Sequence, residues 1–191
     1  MPSTVLPTFR RVLDGNSRVH LVDQFPSVTG EPAHTMGFSS DGELVAVGDD
    51  AGLLEIRQHN PTCQLWERVR LFGKLGKIRA LQWHKKEGRT VFVGSEKGFI
   101  FKVTVSKDPK GEDTILRADV KGFVHALALS DEGKLAAEIG EKVVIYDKPF
   151  ATGKEIGLGN SLDLRSFQGV TSKNLLEVPR IRNLHFITSI S

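Results

Sequence analysis

His34, Arg79, His125 and Arg182 are the residues of this chain whose types and spacing most invite chemistry. Each stands one residue after the start of a recurring segment, the starts being Ala33, Ile78, Val124 and Ile181. Two imidazoles and two guanidiniums brought to one surface would attract carboxylates or phosphates, since both accept charge-assisted hydrogen bonds from such donors. Lys74 and Lys77, just ahead of the second segment, would lie on the same surface. Nucleophilic catalysis would need a nucleophile beside a base, and no such pair has usable spacing. His59 and Cys63 flank Pro61, share no helical face, and read as a loop histidine and a half-buried thiol. The stretch from Gly157 to Leu162 imitates a dinucleotide loop but lacks its third glycine and does not lie between a strand and a helix. With no Walker loop, no Gly-x-Ser-x-Gly elbow and no clustered Cys or His, the reading is that of a non-enzyme with no cofactor and no metal.

Composition sets the class of molecule that must position these groups. The 191 residues are 39% hydrophobic and 26% charged, ordinary values for a globular domain with one substantial core. No run approaches the roughly 20 apolar residues of a membrane helix, and the first residues lack a basic start followed by an apolar block. A lone cysteine, Cys63, and an Asn60-Pro61-Thr62 triplet that cannot be glycosylated fit a reducing compartment, so cytoplasm or nucleus is expected. The net charge of +3 conceals a basic stretch: Glu67 to Lys102 holds ten Lys or Arg against three Glu. Such a stretch raises nucleic acid or anionic membrane as partners, because lysine and arginine release counterions from phosphates.

The positioning elements are short strands. From Ala33 to Arg57, apolar residues alternate with small or polar ones, and the runs break at Asp41-Gly42 and at 49–52. The pattern recurs from Ile78 and from Val124, and Ile181 begins it again, at intervals of 45, 46 and 57 residues. A period near 45 with four strands per unit is that of a β-propeller blade, a sheet that cannot bury both faces alone and so stacks on its neighbours. Inner strands are expected at Met36–Phe38, Ile78–Trp83 and Val124–Leu129, and second strands at Leu44–Val47, Thr90–Val93 and Leu135–Ile139. Third strands are expected at Leu53–Arg57, Phe99–Val105 and Val143–Tyr146, and outer strands at Gln64–Leu71, Thr114–Arg117 and Leu162–Phe167. The middle third strand can be phased two ways, one through Phe99, Phe101 and Val103, the other turning Lys102 inward. Phe38 and Trp83 match in position and are expected in the core, whereas Trp66 on an outer strand is the better candidate for exposure. Residues 1–17 read as a tail, Arg18 to Asp23 as a lone outer strand, and 18–191 as the propeller segment.

These residues resemble the WD-repeat family of β-propellers. Ser39-Ser40-Asp41-Gly42 and Ser130-Asp131-Glu132-Gly133 are similar to that family's turn after the inner strand, and Ile145-Tyr146-Asp147 to its closing hydrophobic-Trp-Asp. The resemblance spans roughly Arg18 to Ile187. It departs where the family's turn aspartate falls on Ala51 and Lys97, and its Gly-His on Gly73-Lys74 and Ala118-Asp119. Apolar packing between blades is therefore expected to replace the usual polar network.

At about 45 residues per blade the chain supplies three full blades and the first strand of a fourth, fewer than the four to eight of closed rings. The expectation is an all-β, C-terminally truncated propeller of about three to four blades in an open arc, self-associating through bare sheet faces. The position shared by His34, Arg79, His125 and Arg182 approaches the channel mouth. The function that follows is a scaffold binding a protein segment, acidic or phosphate-bearing, across that face. Alternatives are a binder of nucleic acid or anionic membrane through Lys74, Lys77 and Arg79, and a fragment of an enzymatic propeller. Lys85, Lys86 and Arg89 would fall on the opposite face, which splits the basic stretch and weakens a continuous nucleic-acid track.

Overall fold

The computed structural model describes residues 28–63 and 65–150, with the backbone of a further strand at 160–163. Three four-stranded antiparallel sheets follow one another along the chain. The first blade contains β1 (Ala33–Phe38), β2 (Leu44–Asp49), β3 (Leu54–Asn60) and β4 (Leu65–Phe72). The second contains β5 (Ile78–Trp83), β6 (Thr90–Ser95), β7 (Phe99–Thr104) and β8 (Thr114–Asp119). The third contains β9 (Val124–Leu129), β10 (Leu135–Ile139), β11 (Lys142–Tyr146) and β12 (Asn160–Asp163). In each sheet the strands pair in chain order, and the blades meet through their inner strands, β1 against β5 and β5 against β9. The sheets form propeller blades in an open arc. The outer strand of the third blade begins earlier than expected, β12 running over Asn160–Asp163, and residues 164–167 of the expected strand lie outside the described residues. The expected strand at Arg18 to Asp23, the tail, and the segment from Ile181 lie outside the described residues.

The turns after the inner strands follow from their residues. Ser39 and Ser130 each accept a backbone N–H through Oγ, from Leu44 at 2.9 Å and Lys134 at 3.0 Å. Gly42 and Gly133 then take the positive φ, 73° and 85°, that closes the turn. The second blade has no serine there, and His84 substitutes for it: Nδ1 accepts from the backbone N–H groups of Lys86 and Glu87 at 3.2 and 2.9 Å. Burial holds that imidazole below its usual 6.5, which favours the neutral ring such acceptance requires.

Two apolar clusters fill the seams. One joins Leu44, Leu54 and Ile56 of the first blade to Trp83, Val91, Val93, Phe101 and Val103 of the second. The other joins Phe92 and Ile100 of the second blade to Leu127, Leu135, Tyr146 and Phe150 of the third. Both phasings of β7 are thus realised, because the middle sheet is covered on its two faces. Phe101 and Val103 turn to the first blade, while Ile100 turns to the third. Lys102 pairs in register with Phe92 and places its ammonium 3.4 Å from Glu87. Trp83 is core as expected, at 4% exposure, and its indole N–H donates across the seam to the Gly37 carbonyl at 2.7 Å. Phe38, expected in the core, is instead 60% exposed. It occupies the face of the first sheet turned away from the second blade, beside Met36 at 63%, and its ring leans on Trp66 at a centroid distance of 5.6 Å.

Two glycines set how closely the blades approach. A Cβ built on Gly94 would lie 2.5 Å from Val124 Cγ1, and one on Gly48 would lie 2.9 Å from Ile78 Cβ. Gly48 and Gly94 pair with the third residue of their inner strands, Thr35 and Ala80, so they are the same repeat position. Each leaves room for the first residue of the next inner strand. In the third sheet that register belongs to Glu138, opposite Ala126, and the position is buried. Gly94→Ala is expected to cost about 1–3 kcal/mol by overpacking. Adding Val124→Ala should make the double variant less destabilised than the sum of the singles, as read from urea denaturation.

Candidate functional site

The surface that carries His34 and Arg79 is built by one backbone bond repeated in each of the three described blades. The turn between second and third strands donates an N–H to the residue just before the inner strand: Asp50 to Pro32 O at 3.2 Å, Glu96 to Lys77 O at 2.9 Å, and Gly140 to Phe123 O at 2.9 Å. This bond brings whatever side chain the turn carries beside the second residue of the inner strand. A companion bond ties the same turn to the loop entering the next blade, Leu75 N–H to Gly52 O at 3.1 Å and Val120 N–H to Gly98 O at 2.9 Å. Gly52 and Gly98 have φ of 80° and 78°, and a Cβ on either would strike the backbone of Gly76 or Gly122.

His34 and Arg79 are thereby brought together, and a carboxylate stands between them. His34 Nε2 lies 2.9 Å from Asp50 Oδ2, and Arg79 Nη2 reaches across the seam to Asp50 Oδ1 at 3.3 Å. Arg79 also donates through Nε to Glu96 of its own blade at 2.5 Å. The result is a ladder, His34, Asp50, Arg79, Glu96, running over two blades. The hydrogen bond from His34, with the Arg79 charge beside it, holds the Asp50 carboxyl below its usual 3.8. His125 is arranged differently, since its blade has Gly140 where the others have an acid; its ring stacks on Phe123 at 4.2 Å and 21°. Arg182 lies outside the described residues. Lys74 and Lys77 are exposed at the loop entering the second blade.

Asp50 and Glu96 were not among the residues picked out by spacing. Their signal was present: they follow His34 and Arg79 by sixteen and seventeen residues, one position before Ala51 and Lys97, where the resemblance places the missing aspartate. Four of the ten basic residues of the 67–102 stretch are committed to acids within the fold. Besides Arg79, Arg70 pairs with Asp113 at 2.6 Å, Lys85 pairs with Asp131, and Lys102 pairs with Glu87. His59 and Cys63 have separate neighbours, the Trp66 ring at 5.2 Å and the Glu67 carboxylate at 3.6 Å.

No protein-family model matches the chain, and no curated protein matches its sequence. Solved structures do match in shape, among them the crystal structure of the β-propeller domain of Cps50 (Swd1) from Myceliophteria thermophila. The TM-score is 0.55 at 16% identity, over 70% of this chain and 43% of that one. The likeness carries the fold, that of a β-propeller segment, and this chain matches less than half of that domain's length.

The Asp50 carboxylate, stabilised in its charged form, should lend stability that is complete above the unfolded value near 3.8 and lost as pH falls through its lower folded value. In a carboxyl-detected NMR titration, His34→Ala is expected to raise the Asp50 pKa toward 3.8, and Arg79→Gln to raise it by less.

Proposed function

We propose that the chain is a non-enzymatic, WD-repeat-like scaffold that binds an acidic or phosphate-bearing protein segment across the channel-mouth face. The observation that supports this most is backbone strain at two lysines. Lys74 and Lys121, in the loops entering the second and third blades, hold φ of 65° and 50° and are exposed. The left-handed region costs an L-residue free energy that glycine avoids, and such strain is retained where a particular side chain is needed. Lys74 and Lys77 make no ion pair among the described residues, whereas Arg79 and His34 are engaged by carboxylates. Ladder residues thus hold the face in shape, and the loop lysines are left to meet a partner.

The alternative of nucleic acid or anionic membrane is less well supported, because Arg79, Arg70, Lys85 and Lys102 are already opposed by acids. Salt dependence separates the two readings, since phosphate-backbone binding weakens steeply with salt.

In a pull-down from lysate, Lys74→Glu with Lys77→Glu should release partners held by the unmodified chain. Lys74→Gly with Lys121→Gly should release them too, with thermal stability kept or raised. Retention of every partner by both variants would reject the proposal.

A further inference from the structure

On the opposite face, a cleft of about 710 Å³ opens between the first two blades. Its volume is that of a site for a small ligand or a short peptide stretch. Leu44 and Val105 line it from the apolar seam, and Lys86, Arg89 and Lys107 bring three cations to it. The second blade's turn lies close against the first blade's here: a Cβ on Gly88 would stand 3.1 Å from Asp41 Oδ2.

Arg89 is the unusual group. Its Nε is buried and has no hydrogen-bond acceptor, and its guanidinium forms no close ion pair among the described residues, although its charge acts on the Asp41 carboxylate from longer range. The other cleft acids are differently placed. Asp41 is engaged through Oδ1 by the Ser39 hydroxyl and the Glu43 N–H, and Glu87 by Lys102. A guanidinium remains charged at any relevant pH, so its buried N–H must find an acceptor or bear the cost of going without. The planar fork is matched by a carboxylate, which can accept two parallel N–H bonds.

We propose that this cleft is a second binding site, separate from the channel mouth, for a peptide segment bearing acidic and apolar side chains. A carboxylate of that segment pairs with Arg89, with Lys86 and Lys107 flanking it, while an aliphatic neighbour covers Leu44 and Val105. Asp41, Glu43 and Glu87 balance the three cations of the lining, so a continuous run of phosphates is disfavoured, whereas a peptide can set one carboxylate at Arg89 and donate backbone N–H groups to the acids, which favours peptide over nucleic acid.

The test is fluorescence polarisation with the full chain and a labelled peptide alternating glutamate and leucine; the lysine–leucine counterpart is the control. The acidic peptide should bind and the basic one should not. Arg89→Met should weaken binding about tenfold or more, the scale of a charge-assisted pair lost from a sheltered site. Lys107→Glu, an exposed reversal that leaves the core intact, should weaken it as well, while Lys74→Glu with Lys77→Glu should leave it unchanged. Undetectable binding by the unmodified chain, binding by the Arg89 and Lys107 variants as tight as that of the unmodified chain, or loss only in the Lys74 and Lys77 variant would overturn the proposal. Displacement of the peptide by a single-stranded oligonucleotide with a steep salt dependence would overturn the choice of peptide.

Discussion

Everything in this molecule follows from how closely one sheet can approach the next. Gly48 and Gly94 leave slots in the second strands, and the branched side chains of Ile78 and Val124 fill them. That contact fixes the distance between inner strands, and the distance fixes which side chains can touch across a seam. Trp83 reaches the Gly37 carbonyl and Arg79 reaches Asp50 only at that spacing. The third sheet carries Glu138 in the slot register, so its outer face does not present the gap that the first two sheets share.

Charge is layered on this apolar frame. Arg70 with Asp113, Arg79 with Asp50, and Lys85 with Asp131 each join successive blades. The Lys85 pair is exposed and worth about 0–1 kcal/mol, while the Arg70 and Arg79 pairs are half-buried, where the cost of desolvation offsets much of the attraction, so the three register the blades more than they hold them. Burial of the two seam clusters stabilises the stack far more, at roughly 1.5–3 kcal/mol for each fully buried large apolar side chain. Part of the basic excess between Glu67 and Lys102 is therefore an internal matter, and the loop lysines, Lys86 and Arg89 are among those without a close carboxylate in the described residues.

Architecture was legible in the sequence because a repeat of about 45 residues with alternating strands has few physical solutions. Strand positions followed from alternation and from turn residues such as Ser39 to Gly42, and the inner strands from Ile78 and Val124 match residue for residue. Alternation failed in β6, where a sheet covered on both faces buries every residue from Thr90 to Ser95. The Phe38 expectation failed for the opposite reason: matching it to Trp83 assumed a covered face, and the first sheet's outer face leaves it exposed. His34 and Arg79 were legible as a recurring position, but their carboxylate partners were not. Which acid meets which base depends on the turn bond to Pro32 and Lys77, and spacing alone does not reveal a backbone bond.

The seam can be examined directly through the Trp83 indole proton, which belongs to the second blade and bonds to a carbonyl of the first. Hydrogen exchange followed by NMR should find it strongly protected, with a nuclear Overhauser contact to the Gly37 α protons. Exchange at the rate of a free indole, with no contact to Gly37, would show that the blades do not stack as described.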